Sequence, residues 1–281
     1  MTMHQRQPEM PDLRVVPVAD LLLHEQHDAQ RSEPLVQRLK AEGVLKNPPI
    51  VAVIGGQERY VVLDGANRVT AAKVLGMPHI AVQVVDYEDP ELILDTWHHL
   101  IKGLSCEHFQ RMIGEVDGVE VETTDLMQAR AQLARREILA FVQYPQGVVC
   151  SLHALGNLHQ RTQRLNDIVD VYKVHSRIFR ANTDHLPALQ PFYDDIAALV
   201  VFPRFAPAEI VDLARVGAYL PAGITRHLIP RRALRINLPL TALDSEASLA
   251  EKNNWLIEWM KQKVASKTVR YYQESSFLFD E

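Results

Sequence analysis

The stretch that most limits how this chain can fold is VVLDGANRVTAAKVLG, Val61 to Gly76. Its apolar, β-branched start reads as a strand, Asp64-Gly65 permits a tight bend, and the segment from about Ala66 to Leu75, which stops at a glycine, reads as a helix. NPPIVAVI before it and HIAVQVVDY after it read as further strands, which gives a compact β-α-β arrangement within the first ~90 residues. A helix N-terminus at such a turn offers the backbone amides of Ala66 to Arg68 as donors, with the helix dipole pointing the same way, so the turn suits an anion. Arg68 adds a planar fork that fits phosphate oxygens. Asp64 at the same place conflicts with a phosphate unless a divalent cation bridges them or the acid positions an attacking hydroxyl. Asp64 as a helix cap and Arg68 on a solvated face also fit the spacing.

The remaining chain alternates short strands and helices. LRVVPVADL opens with a strand and is followed by the polar loop LLHEQHDAQ. Ser32 is expected to cap a helix that carries Leu35, Val36 and Leu39 and ends at Gly43. A strand, a helix with Asp125 at its start and another strand are expected through EVDGVEVETTDLMQARAQLARREILAFV. The helix NLHQRTQRLNDIVDVYKVHSRIF places Leu158, Leu165, Ile168, Val169 and Tyr172 near one stripe, a core face. Then follow the apolar run IAALVVFPRF, the helix PAEIVDLARVG, the loop YLPAGITRH, two short strands through RRALRINLPL, the helix LAEKNNWLIEWMKQKVA and a terminal strand TVRYYQESSFLF. The pattern predicts an α+β class rather than a regular parallel sheet.

Composition excludes several classes. A chain of 281 residues with 47% hydrophobic and 23% charged residues can bury a sizeable core. Its formal net charge of -5 lacks the surplus needed for sequence-independent binding to phosphate backbones, so DNA is not an expected partner. The densest basic run, Pro230 to Arg235, also reads as an edge strand blunted by charge. Cys106 and Cys150 stand alone, which suggests neither a disulfide framework nor a zinc site and fits a reducing cytoplasm. No apolar leader and no run of eighteen apolar residues is seen, so no signal peptide or membrane span is expected.

Three further constellations could carry chemistry. LLHEQHD gathers His24, Glu25, His27 and Asp28 in one loop, where an acid could face a ligand held at the Asp64-Gly65 turn. DTWHHL sets Trp97, His98 and His99 side by side, and adjacent histidines do not resemble a chelating pair. PAGITRH brings Thr225, Arg226 and His227 after a glycine turn; hydroxyl, guanidinium and imidazole together suit a carboxylate or phosphate, and an ordinary strand start fits as well.

With these residues laid out, VVLDGANRVTAAKVLG followed by PHIAVQVVDY resembles the ParB/sulfiredoxin fold, whose members set a Gly-x-x-Arg turn against nucleotide phosphates. Within it the chain resembles more closely the free L-serine kinases, of the staphyloferrin B and archaeal types, through VPVADLLLHE, VLDGANR with DTWHH, and PAGITRHLI with LRINLPLTAL and the following helix. The resemblance implies a ParB/sulfiredoxin-like nucleotide-binding domain over 1–104 and a mixed α/β region over 105–281 that completes the amino-acid site. It implies a kinase that transfers the terminal phosphate of ATP or ADP to the serine hydroxyl to give O-phospho-L-serine, with Mg²⁺ held through the phosphates and Asp64 as the protein carboxylate that could bridge to it. Glu25 and Asp64 are then the catalytic acids. Gly65, Ala66, Asn67 and Arg68 line the phosphates, and Trp97, His98, Thr225, Arg226 and His227 hold the amino acid or its product.

One departure stands out: these kinases commonly carry histidine where this chain has Asn67. An amide still donates to a phosphate oxygen but cannot exchange a proton near neutral pH. A ParB-like DNA-binding regulator and a non-catalytic nucleotide or amino-acid sensor are the rival readings. A sulfiredoxin-like reductase lacks its cysteine, because Ala66 and Asn67 occupy the turn. Monomer and dimer both stay open.

Overall fold

The computed structural model describes residues 10–27, 29–56 and 58–272. In chain order the first part contains β1 (Asp12–Pro17), β2 (Leu21–Leu22), α1 (Ala29–Glu42), β3 (Val44–Leu45), β4 (Ile50–Val53), β5 (Tyr60–Asp64), α2 (Ala66–Val74) and β6 (His79–Val85). The middle contains β7 (Ile93–Thr96), β8 (His98–Lys102), α3 (Cys106–Gly114), β9 (Glu120–Thr124), α4 (Leu126–Ala134), β10 (Ala140–Gln143), β11 (Val149–His153), α5 (Leu158–Lys173), β12 (Arg177–Ala181), α6 (Leu186–Leu189) and β13 (Ile196–Val201). The last part contains α7 (Pro207–Val216), β14 (Thr225–Leu228), β15 (Leu238–Pro239), α8 (Leu240–Leu243) and α9 (Leu249–Ala265). The class is α+β. Among the described residues no helix is long and apolar enough to cross a membrane.

Two sheets organise the chain. The first, in the order β1-β6-β4-β5-β2, mixes parallel and antiparallel pairs; the second, β12-β8-β13-β10-β11-β9, is antiparallel throughout. Strand alternation sends the two faces of each sheet into different cores. From the first sheet, Ala52, Val61 and Leu63 join Ile101, Val142, Phe109 and Tyr172 in one continuous core shared with the second sheet. Their neighbours Val51 and Val62 turn the other way, onto Val69 and Ala72 of α2 and Leu256 of α9. Leu100, Phe141 and Leu199, again the alternate residues, pack on the far face of the second sheet with Ala129 of α4. The shared core fixes the sheets against each other, and the cleft described below opens beside it.

Helix α9 covers what would otherwise be an open edge. β1 is the outermost strand of the first sheet, and its unpaired side meets the Asn253 amide: the Val15 N–H donates to Asn253 Oδ1 at 2.9 Å and Asn253 Nδ2 donates to the Val15 carbonyl at 2.8 Å. A side-chain amide thus stands in for a sixth strand at one residue, which blunts the edge against pairing with another chain. The buried Lys252 reinforces the join, donating to the Leu243 carbonyl at 2.6 Å and lying 3.1 Å from His79 Nδ1.

Four sequence expectations change. The helix expected through NLHQRTQRLNDIVDVYKVHSRIF ends at Lys173, and Arg177–Ala181 pair with β8 as β12 instead. α1 starts at Ala29, so Ser32 lies inside it rather than capping it. Ser32, Val36 and Leu39 are all buried at a spacing of one helix face, and burial of that stripe carries the helix past the serine. RRALRINLPL holds one strand, β15, instead of two. Arg231, Arg235 and Asn237 adopt left-handed backbone conformations, φ 51° to 52°, that an extended strand cannot contain. Side-chain amides replace the missing ladder: Gln83 bonds the Arg231 carbonyl and the Ala233 N–H, and Asn47 accepts from the Arg235 N–H. The residues from Thr268 to Tyr272 form no strand, and the rest of the expected terminal strand, 273–281, lies outside the described residues, as does Asp28.

Asn253→Ala removes both bonds to Val15 and leaves the Val15 backbone groups facing a methyl. We expect a loss of about 1–3 kcal/mol in urea unfolding, the usual cost of stranding a part-buried polar group. An unchanged midpoint would show that the helix contact is not what closes this edge.

Candidate active site

The end of β5, the N-terminus of α2, the 24–27 segment, β14 and Arg180 of β12 line one cleft of about 1720 Å³. Glu25 stands on one wall. Its segment pairs with Leu220 as a parallel bridge, the Leu220 N–H donating to the His24 carbonyl and the Gln26 N–H to the Leu220 carbonyl, each at 2.8 Å. That register delivers the carboxylate to the glycine turn ahead of β14. The Gly223 N–H donates to Oε2 at 2.9 Å, and the Thr225 N–H and hydroxyl reach Oε1 at 2.7 and 2.5 Å. Gly223 has φ +74°, and a Cβ there would fall 1.9 Å from the Arg180 guanidinium, so Arg180 lies directly over the turn that holds Glu25.

The other wall is the Asp64-Gly65 turn. Gly65 is the N-cap of α2 at φ +95°, and an added Cβ would stand 3.0 Å from Pro49 Cα. Asp64 is therefore not the cap; it closes β5. Its carboxylate accepts from Arg68 at 3.2 Å and pairs with Arg232. Nor does Arg68 sit on a solvated face: its guanidinium donates to the carbonyls of Asn47 at 3.0 Å and Pro48 at 3.1 Å, pinning the loop before β4. The Arg68 N–H closes onto the Gly65 carbonyl at 2.9 Å, which leaves Ala66 and Asn67 to supply the first-turn amides on the cleft wall.

β14 pairs with β7 and presents two faces. Thr225 and His227 point toward His24, whose ring meets His227 edge-on with centroids 5.6 Å apart. Arg226 points the other way, its guanidinium 4.3 Å above the Trp97 ring and 3.8 Å from Asp95. Trp97, Thr225, Arg226 and His227 all line the cleft, but His98 does not. Adjacent strand residues face opposite sides, and it is His99 that reaches the cleft wall. His98 instead accepts from the Phe202 N–H at 3.3 Å.

Several cleft residues went unmarked in the sequence: Arg38, Lys46, Asn47, Lys173, Arg180 and Arg232. The one available signal was the basic run Pro230–Arg235, which supplies Arg232 and Arg235. The lining carries eight lysines and arginines against four acids, so the cleft is cationic in a chain of net negative charge. Among the described residues no group of three or more His, Cys, Asp or Glu could hold a metal ion. A Mg²⁺ here needs oxygen ligands from phosphate, with Asp64 the acid nearest the α2 terminus.

No family model matches the chain. Its fold matches that of a free serine kinase in complex with AMP, which superposes with a TM-score of 0.72 at 17% identity, covering 86% of this chain and 98% of that one. A C-terminally truncated SbnI from Staphylococcus aureus gives 0.69 at 20% identity, over 92% and 97%. Curated relatives agree along most of the length. An ATP-dependent L-serine kinase of Staphylothermus marinus is 24% identical over 82% of this chain and 90% of its own length. The ATP-dependent L-serine kinase SbnI of Staphylococcus aureus is 26% identical over 96% and 97%, and the ADP-dependent L-serine kinase SerK of Thermococcus kodakarensis 23% over 78% and 88%.

Burial sets the protonation of the histidines around the cleft. Desolvation pushes His99 and His227 down to about 3 and His98 to about 4. His99 Nδ1 lies 2.8 Å from the Tyr172 hydroxyl and His227 Nε2 2.8 Å from that of Tyr87; burial pushes both phenols up, so each phenol donates to a neutral ring. Unfolding returns these rings to an ordinary value near 6.5, so below that pH the unfolded chain binds more protons than the folded one. Stability is therefore complete above about pH 6.5 and is lost as pH falls toward 4, at up to ~1.4 kcal/mol per pH unit for each ring. Urea midpoints measured from pH 7 to 4 should drop steadily; a flat profile across that window contradicts neutral buried rings.

Proposed function

We propose that this chain is a free L-serine kinase, transferring the terminal phosphate of ATP or ADP to the serine hydroxyl to give O-phospho-L-serine. The observation that carries the reading is the sharing of one cleft by two opposed features: a carboxylate held by three donors at Glu25, and a helix N-terminus flanked by Asp64 and Asn67. The first suits an alcohol, the second a polyphosphate. The curated relatives are serine kinases, and their division into ATP- and ADP-dependent enzymes leaves both donors in the proposal.

In this reading the serine Oγ–H proton passes to the Glu25 carboxylate as the oxygen's electron pair forms the bond to phosphorus. The bond from that phosphorus to the bridging oxygen breaks, and its pair leaves with the shortened nucleotide. Gly65, Ala66 and Asn67 receive phosphate oxygens at the α2 terminus, where first-turn backbone amides and the helix dipole favour negative charge. Arg68 acts at one remove, by fixing the Asn47–Pro48 loop and Asp64. A Mg²⁺ held through the phosphates would neutralise their charge, and Asp64 is the protein carboxylate that could bridge to it. Thr225, Arg226, His227 and Trp97 surround the amino acid, the Arg226–Trp97 stack offering a fixed cation for its carboxylate. Residues 1–104 then contribute the nucleotide wall and the base, and 105–281 complete the amino-acid site. The chain is proposed to work as a soluble cytoplasmic enzyme.

The test is incubation of purified protein with Mg²⁺, ATP or ADP and a panel of free amino acids, with phosphoamino acid detected directly. O-phosphoserine is the expected product. Glu25→Gln should lower turnover ~10²- to 10⁴-fold, the usual worth of a general base, while nucleotide binding persists. Nucleotide binding by the wild-type chain with no phosphoamino acid would replace the kinase reading with that of a sensor.

A further inference from the structure

A proton count on Glu25 points beyond the carboxylate itself, and it deepens the kinase reading on which it rests. His24 is buried, with Nδ1 2.8 Å from the Val62 carbonyl and Nε2 2.9 Å from Thr225 Oγ1, while the same hydroxyl oxygen lies 2.5 Å from Glu25 Oε1. A carbonyl oxygen only accepts, so Nδ1 carries a hydrogen toward Val62. The Thr225 hydroxyl owns one hydrogen and touches two acceptor atoms. Two bonds need two hydrogens. A neutral imidazole and an ionised carboxylate leave one of them unmade, with lone pairs face to face at the heart of the cleft.

We propose that His24 is a positioning residue for the phosphoryl transfer: it carries the second hydrogen on Nε2, donates it to Thr225, and through that hydroxyl holds the Glu25 carboxylate charged and aimed at the acceptor alcohol. Two backbone N–H bonds already stabilise a charge on Glu25, so the Thr225 hydrogen turns toward that ionised carboxylate and the extra proton belongs to the ring. Burial holds the His24 ring below its ordinary value and the Glu25 carboxylate offsets only part of that, so it is the Thr225 contact that keeps the second hydrogen on Nε2, and only while the carboxylate is charged. The other groups facing the ring do not supply that charge. His227, edge-on at 5.6 Å, is held neutral and receives the Tyr87 hydroxyl, and Asp64 acts on His227 from β5. When Glu25 takes the serine proton, the charge on His24 loses its counterpart, which favours release of a proton from the pair and resets the base for the next turnover.

Two measurements on the full chain separate this from the kinase reading. In ring-¹⁵N histidine spectra, proton binding at His24 should weaken about tenfold in Glu25→Gln and again in Thr225→Val, the scale of one lost charge partner. Neither variant alters the ring, so a shift reports the coupling rather than a local collapse; a midpoint unmoved in both overturns the relay whether or not the chain makes phosphoserine. In turnover, His24→Gln should lower kcat ~10-fold and change the pH profile of kcat, with nucleotide affinity and serine KM held near wild type. Equal kcat with an unaltered pH profile overturns the proposal. Ring midpoints moved in the variants, beside a wild-type chain that makes no phosphoserine, support the relay and overturn the kinase reading alone.

Discussion

The contact on which the cleft depends is the acceptance by Glu25 of the Gly223 and Thr225 N–H groups. It joins residues 198 and 200 positions apart, and it does so only because the backbone at 24–26 is already in register with Leu220. Neither half is stable alone: the register places the carboxylate, and the carboxylate satisfies donors of a turn that would otherwise face the cleft unpaired. Gly223 admits the arrangement for two reasons at once, a left-handed φ and the absence of a Cβ where Arg180 lies. From that junction β14 runs along β7, and Thr225 to His227 take their places by strand alternation alone.

The remaining architecture holds the opposing wall at a fixed distance. The first sheet shares its core with the second, so the end of β5 cannot shift relative to β8 and β12 without opening a close-packed interior. Arg68 and Asn47 brace the loop beneath the α2 terminus, and Gln83 braces the segment carrying Arg232. Asp64 ends between two guanidinium groups, Arg68 from its own helix turn and Arg232 from a loop far along the chain. An acid beside an anion site is costly in isolation. Between two cations it serves as an aiming point for both.

Much of this was legible in the sequence where local periodicity decides structure. The Val61–Gly76 unit, the stripe of α5 and the span of α9 from Leu249 to Ala265 follow from apolar spacing, capping residues and terminal glycines. Legibility failed where one residue shifts the outcome. His98 and His99 differ only in parity along β8, and parity is set by the partner strands on either side, β12 and β13, which no local signal names. Pro230–Asn237 looks strand-like in composition, yet its shape comes from Gln83 and Asn47 amides distant in sequence. Arg180 and the Nε2 contact of His24 are likewise visible only once remote segments meet. Net charge misled in a different way, because a sum over the whole surface says nothing about a cleft where cations outnumber acids two to one.

That distinction bears on Asn67, the position where the chain departs from the pattern of the free serine kinases it resembles. A residue at the first turn of α2 sits where the helix terminus and surrounding arginines already favour an anion, so its task is to donate a hydrogen bond and to avoid opposing the field. An amide does this at every pH, whereas an imidazole adds charge only when protonated. Proton transfer requires a group on the alcohol's side of the cleft, and there the Glu25–Thr225–His24 chain of contacts already holds both the acceptor and its charge partner. In the proposed reaction acid-base work falls to one wall and phosphate binding to the other. On that proposal histidine and asparagine at position 67 are interchangeable in kind, so that the departure bears on affinity for the nucleotide rather than on the chemistry of the hydroxyl.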